Sequence, residues 1–349
     1  MNEHELLEAA RAGDEEAFAQ LVKPHRNALH AHCYRMLASV PDAEDAVQDA
    51  LLNAWRGLSG FEGRSSVRSW LYAIATNACL RAIERRPKRV LPIDFGPAAD
   101  PHGALDEPLV ETVWMEPYPD ERLGIDDGLA GPEARYEQRE SVELAFIAAL
   151  QHLPAQQRAV LILRDVLGFS AREVAESLET TPTGVDSALQ RARKSVDERL
   201  PKRSQQAVLR SLDDQGLREI VEGFVDAWER SDVDAVVAML TSDGAISMPP
   251  YPTWYRGRDA VAAFLAEFPL RRDTRWRIVP VRANGQLAFG EYSWDEERGV
   301  FTAHSINVLT LAEEGIAEIT AFLDPELIPR FGLPEEIPAP TKGGPNWGR

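Results

Sequence analysis

Cysteine is almost missing from this chain: 349 residues hold only Cys33 and Cys79. Two thiols cannot form a disulfide framework or a cysteine-rich zinc site. Long apolar runs are missing too. The opening residues, MNEHELLEAARAGDEE, are polar and helical in pattern, with no signal-peptide core, so a cytoplasmic protein is expected. Basic charge is also scarce, with 38 Lys and Arg against 56 Asp and Glu, a net of −18. That balance excludes a general nucleic-acid coat but leaves room for local basic faces. There is no internal repeat, and no cofactor or metal is expected. What remains, 44% hydrophobic and 27% charged, is a globular composition long enough for two or three domains.

Residues 1–90 read as helices, with Leu6, Leu7 and Ala10, then Phe18, Leu21 and Val22, then Leu29, Cys33, Met36 and Leu37 at three/four spacing. Residues 91–132 break that pattern. They are rich in Pro and Gly, and ten acids there face one base, Arg122, a net of −9. An acidic flexible linker is expected, whose aromatics Phe95, Trp114 and Tyr118 are free to dock. Helical periodicity returns over 133–203, where Pro154 opens one helix and Gly168 closes it.

The sharpest local signal is GFSAREVAESLETTPTGVDSALQRARKSVDERL. Ser170 with Glu173 is a capping box, and Thr181-Pro182 opens a second helix after a short gap. This is helix-turn-helix spacing. Val185, Leu189, Ala192 and Val196 share the buried face. Thr183, Asp186, Ser187, Gln190, Arg191 and Lys194 then point outward, as side chains able to meet phosphates and base edges.

A second basic stretch, Arg64 to Arg89, carries seven cations against Glu84. Val67, Trp70, Leu71, Ile74 and Ala78 form its buried stripe, leaving Asn77, Arg81 and Arg85 in an outward row with Tyr72 nearby. Cations beside an amide and an aromatic suit melted, single-stranded nucleic acid, whereas the bland reading is a solvated basic helix end. The preceding helix, Asp42 to Trp55, has an acidic-amide face of Asp42, Glu44, Asp45, Gln48, Asp49 and Asn53. All six are expected to be exposed, facing a basic protein partner or solvent.

Three passages, DAEDAVQDALLNAW, FEGRSSVRSWLYAIATNACLRAIERR and LPAQQRAVLILRDVLGFSAREVAESLETTPTGVDSALQRARKSV, resemble sigma-70-type RNA polymerase sigma factors of the extracytoplasmic-function group. Their order matches sigma region 2 (1–90) followed by region 4 (133–203). The resemblance implies that Asp42, Glu44, Asp45, Gln48 and Asp49 dock on the polymerase beta-prime clamp. It places Phe61 and Asn77 at the non-template strand of the −10 element, with Arg81 and Arg85 on phosphates, and Tyr72 joins this −10 set from its position beside that row. Thr183 to Lys194 would read the −35 duplex. The implied partners are core RNA polymerase (beta-prime clamp and beta flap) and promoter DNA, with no membrane. The acidic linker and YEQRESVELAFIAALQHLP look like the subgroup with a C-terminal extension.

Residues 213–333 change character: helices through Leu217–Trp228 and to Leu240 precede strand-like runs at 245–248, 275–281, 287–294, 300–311 and 316–323, with a helix at 258–268. Asn284-Gly285 is a hairpin signal. This α+β segment resembles the SnoaL-like polyketide-cyclase cone or barrel, expected here as a curved antiparallel sheet. The fold class is therefore multidomain, two all-α sigma domains followed by an α+β SnoaL-like domain, with a disordered tail over 334–349. The resemblance implies a built-in, non-catalytic regulator. A candidate ligand pocket comprises Trp254, Tyr255, Glu291, Tyr292, His304 and Asp324, with His304 on one strand face beside Ile306 and Val308. No clear DGGGK-type motif is present; its nearest analogue is Ala283-Asn284-Gly285-Gln286. Two rival readings remain, a one-component ligand-responsive DNA-binding regulator and a cyclase- or isomerase-like enzyme with a DNA-binding appendage. The second needs an inward carboxylate in the sheet domain.

Overall fold

A computed structural model describes residues 1–109, 114–123 and 139–339. The chain divides into two compact units, Met1–Val90 with Asp120–Lys202, and Leu91–Pro119 with Arg203–Arg349.

The first unit is helical. Helices α1 (Glu3–Arg11), α2 (Glu15–Val22), α3 (Arg26–Leu37), α4 (Val40–Gly57) and α5 (Val67–Arg85) form one group. Most start where a short polar side chain can take an orphan N–H: Asn2, Asp14, Ser39 and Ser66 each cap a helix. Cys33 and Cys79 are buried, free thiols in this group. A short turn, Asp120–Leu123, packs against α3. The second group follows residues 139–143, beginning with α7 (Leu144–Gln151) and α8 (Ala155–Leu161), which runs on through a wider turn to Val166; α6 (Pro92–Phe95) belongs to the other unit. Gly168, at φ 72°, ends this run as read from the sequence. Helices α9 (Ala171–Ser177) and α10 (Pro182–Asp197) then form the helix-turn-helix. Ser170 and Glu173 make the reciprocal capping box, and Thr181 caps α10 at the Gly184 N–H.

Buried polar groups join the two helical groups. The Arg35 guanidinium donates to the Ser141 carbonyl (3.0 Å) and hydroxyl (2.7 Å). Arg158 donates to the Met36 carbonyl and to Gln151. Its burial lowers its pKa to about 10, so these bonds remain charge-assisted at neutral pH.

The second unit holds α11 (Gln205–Ser211), α12 (Asp214–Glu229), α13 (Val233–Ala238) and α14 (Arg258–Glu267) around a seven-stranded sheet. Its strands are β1 (Leu240–Ser247), β2 (Trp254–Arg256), β3 (Trp276–Ala283), β4 (Gln286–Asp295), β5 (Val300–Ala312), β6 (Gly315–Phe322) and β7 (Glu336–Pro338), ordered β2-β1-β6-β5-β4-β3, with β7 on β5. Asn284 and Gly285, at φ 55° and 69°, make the tight turn between β3 and β4. Phe289, Leu309 and Ile319 face Phe224, Trp228 and Phe264 in the core. Ile328 and Phe331, from a short helical turn at Pro325–Phe331, lie buried near the other face, where a Cβ on Gly290 would meet Leu333 and Ile328.

Three expectations are corrected here. The sheet is open rather than a closed barrel, because β2 and β3 end the strand order unpaired with each other. It is not wholly antiparallel, since β1 and β6 run parallel; the intervening chain carries the crossover that a parallel pair requires. The tail does not begin irregularly, because Glu336–Pro338 pairs with Val300–Thr302.

Residues 91–119 also depart from a free linker. Isolated contacts anchor them to the sheet unit: Ala99 N–H to the Trp254 carbonyl (2.8 Å), Leu109 N–H to the Pro250 carbonyl (2.9 Å), and Trp254 Nε1–H to the Gly96 carbonyl (2.8 Å). Trp114, Met115 and Tyr118 are buried, and Glu116 pairs with Arg330. The reason is apolar: a few large side chains dock although no period announces them. Glu111, Asp126 and Asp127 of the ten acids lie outside the described residues.

Candidate nucleic-acid interface

Helix α10 presents the outward row read from its sequence. Thr183, Asp186, Ser187, Gln190, Arg191 and Lys194 are all exposed, and Val185, Leu189, Ala192 and Val196 are buried beneath them. Arg193, on the flank, is held by a two-point pair to Asp165 (2.7 and 2.8 Å), leaving Arg191 and Lys194 as the cations of the row itself. The face can sit in a duplex groove, with amide and hydroxyl groups for base edges and cations for phosphates.

On α5, Asn77, Arg81 and Arg85 form an exposed row. Phe61 and Tyr72 do not join it. Phe61 is buried, stacked on Trp70 at 4.7 Å between ring centroids, with Arg11 over its face. Tyr72 is 2% exposed, set edge-on to His32 and to Phe169 of the second helical group. Burial raises its phenol pKa. Arg68 lies 4.5 Å over the Phe169 ring and donates to the Leu167 carbonyl, and Ser69 donates to Glu173 (3.0 Å). The near edge of α5 is thus covered by the start of the helix-turn-helix.

The acidic-amide face of α4 is exposed at Glu44, Asp45, Gln48, Asp49 and Asn53. Asp42 is the exception, and its expected exposure is corrected. It is 7% exposed and accepts from Arg89 (2.6 Å, itself 7% exposed) and from Arg86. Both cations come from the segment after α5, which no helical period could connect to Asp42. Trp55 and Leu51 line a groove with Phe18, and Leu52 is one of the few exposed large apolar residues.

The six candidate pocket residues of the sheet unit do not converge. Trp254 is spent on Gly96, Tyr255 stacks on Phe264 (4.8 Å), and Asp324 caps the Pro325 turn at the Glu326 N–H. Tyr292 follows Glu291 directly on β4 and donates to the Pro334 carbonyl (2.8 Å). His304 does not share a face with Ile306 and Val308 in simple alternation. The register shifts there, with Glu291 opposite Ser305 and Tyr292 opposite Ala303. The extra residue sets the imidazole against Trp276 (5.1 Å), and burial lowers its pKa.

Of the six, Glu291 is the inward carboxylate, on the strand face of Leu287 and Phe289. Its oxygens accept from the Ser305 hydroxyl (2.6 Å) and the Asn307 amide. Burial raises its pKa to about 8. Ser305 and Asn307 were missed by sequence reasoning, although both stand opposite or diagonal to Glu291 at period-two spacing. The inward carboxylate that the enzyme reading requires is therefore present. The Ala283–Gln286 turn has a different use: Asn284 exchanges two hydrogen bonds of 2.8 Å with the Tyr118 backbone, and the Gly285 carbonyl accepts from Gln206. Among the described residues no group of carboxylate, His and Cys side chains could hold a metal ion, and no helix is long and apolar enough to cross a membrane.

Comparison with known proteins fits this arrangement. Residues 21–89 match Sigma-70 region 2, residues 143–196 match Sigma-70, region 4, and residues 221–319 match a SnoaL-like domain. The chain is 41% identical to the ECF RNA polymerase sigma factor SigG of Mycobacterium tuberculosis, over 94% of this chain and 86% of that one. It is 33% identical to SigM of the same species, over 54% of this chain and 80% of that one. The crystal structure of M. tuberculosis extracytoplasmic function sigma factor SigJ has the same fold at 21% identity, with TM-score 0.56, covering 91% of this chain and 99% of that one. On the 41% identity with SigG, over 86% of that relative, the chain belongs to the extracytoplasmic-function RNA polymerase sigma factors, which bind core polymerase and promoter DNA and direct promoter-specific initiation, and it carries a SnoaL-like C-terminal domain.

Proposed function

We propose that α4 is the helix that docks on the polymerase beta-prime clamp, through Glu44, Asp45, Gln48 and Asp49. Asp42 supports it from beneath, pinned by Arg86 and Arg89. Asn77, Arg81 and Arg85 hold the melted non-template strand of the −10 element. Tyr72, under Phe169, and Phe61, under Arg11, reach a base only when those covers withdraw. Thr183, Asp186, Ser187, Gln190, Arg191 and Lys194 read the −35 duplex, and the helix-turn-helix unit also meets the beta flap. The observation that carries this reading is the pair of exposed rows, one on α5 and one on α10, each on a rigid, capped helix.

The C-terminal domain acts as a non-catalytic regulator. Its grip on residues 91–119 supports this, because it controls the slack between the two DNA-reading groups. Both oxygens of Glu291 are engaged by neighbours, which suits an interior polar anchor better than a general base. Asn307 Oδ1, on the residue that donates to Glu291, is buried without a partner, so a small molecule's polar donor would be recognised there.

The test is binding of core polymerase by Asp45→Lys/Asp49→Lys. Loss of binding with intact helicity is expected. Wild-type affinity would return the α4 face to plain solvation and favour the one-component regulator.

A further inference from the structure

Ten carboxylates and one base occupy residues 91–132. The single base, Arg122, lands on an acidic helix. Its guanidinium pairs with Glu44 on α4, and the next residue, Leu123, is buried at 8% exposure. The turn they belong to, Asp120–Leu123, packs on α3. Arg122 also lines a groove of about 990 Å³ whose apolar wall is Phe18, Val47, Leu51, Leu52 and Trp55. Next to it, His30 is held to a pKa of about 4 by burial and then by Arg122, so His30 itself is no competing cation for Glu44 at neutral pH.

We propose that Asp120–Leu123 is an autoinhibitory strap, seated on the face of α4 that docks on polymerase, so that strap and polymerase compete for region 2. The inference rests on the reading of α4 given above. The Arg122–Glu44 pair is half-exposed, so solvent screens it. A four-residue turn of this kind persists in the free chain, where it is tethered at high local concentration, and is displaced by a standard-sized protein interface. Asp120 follows Pro119, whose bridge to Ala283 is the last anchor of the linker on the sheet unit.

The experiment measures the affinity of the full-length chain for core polymerase at fixed salt, with Arg122→Glu and Leu123→Asp. Arg122→Glu turns attraction to Glu44 into repulsion and is expected to tighten binding about two- to ten-fold, with Leu123→Asp moving the same way. Deuterium exchange at 120–123 should rise when polymerase binds the wild type. Unchanged or weaker affinity for Arg122→Glu overturns the strap; weaker binding would make Arg122 a polymerase contact. Asp45→Lys/Asp49→Lys separates the two failures. If it binds like wild type, the reading of α4 falls; if it abolishes binding while Arg122→Glu leaves affinity unchanged, only the strap falls.

Discussion

Asp42→Asn tests whether a residue in the resemblance to the clamp helix works at the surface or in the interior. Asp42 lies 7% exposed between Arg86 and Arg89, and Arg89 is equally buried. Asparagine keeps the shape and one acceptor but removes the charge. Arg89 then loses the Asp42 charge in a low-dielectric site, and breaking a buried pair in this way costs about 3–5 kcal/mol. Arg86 is half-exposed and recovers hydration, which places the effect toward the lower figure. The control is Asp45→Asn. Asp45 is largely exposed and its nearest cation, Arg86, is 3.9 Å away, so its loss costs under about 0.5 kcal/mol. A multidomain chain does not unfold in one step. Local opening of α4 and α5 by hydrogen exchange is therefore the assay. About 3 kcal/mol corresponds to exchange at least about 100-fold faster in those helices for Asp42→Asn and near-unchanged exchange for Asp45→Asn. Equal protection in the two variants would refute the reasoning and return Asp42 to the docking face.

Glu291 is protonated in the folded sheet domain up to about pH 8, against an ordinary value of 4.5. The folded state thus binds more protons between those values, and its stability falls as pH rises from about 4.5 to 8, then levels. Urea unfolding of the sheet domain at pH 5.5 and 8.5 should show that fall in the wild type and much less of it in Glu291→Gln; equal slopes would count against the assignment. Gly315→Ala should destabilise the sheet domain by about 2 kcal/mol or more, because φ is 142° and a Cβ would sit 2.5 Å from the Met239 carbonyl oxygen. Thermal melts check it, and a shift below one degree would contradict it. Arg191→Ala should weaken −35 duplex binding without changing polymerase affinity, whereas Leu189→Ala, at a 5% exposed site, should cost about 2–5 kcal/mol of stability. Circular dichroism and duplex titration separate these, and reversed effects would mean that α10 is rotated from its observed facing.

The helix-turn-helix was legible because its determinants are local. Ser170, Glu173, Thr181 and Pro182 act within one turn, and the buried stripe of α10 repeats at helical spacing. The Asn284-Gly285 hairpin was legible for the same reason, since positive φ at two successive residues selects those side chains. Long-range features were not. The partners of Asp42 lie more than 40 residues on, at Arg86 and Arg89. Anchoring of residues 91–119 depends on single aromatics meeting a distant strand, as Tyr118 meets Asn284, which leaves no periodic trace. Strand alternation placed His304 on one face with Ile306 and Val308 but could not foresee the register shift there, where one extra residue breaks the period. The pocket residues were chosen for chemistry alone, and a cap, a stack and a backbone bond claimed three of them.

The most direct measurement is transcription in vitro with core polymerase, the full-length chain and a pool of promoter fragments. The account predicts specific starts that disappear with Arg191→Ala and with Asn77→Ala/Arg81→Ala while polymerase binding persists. An absence of both specific transcripts and polymerase binding would contradict it.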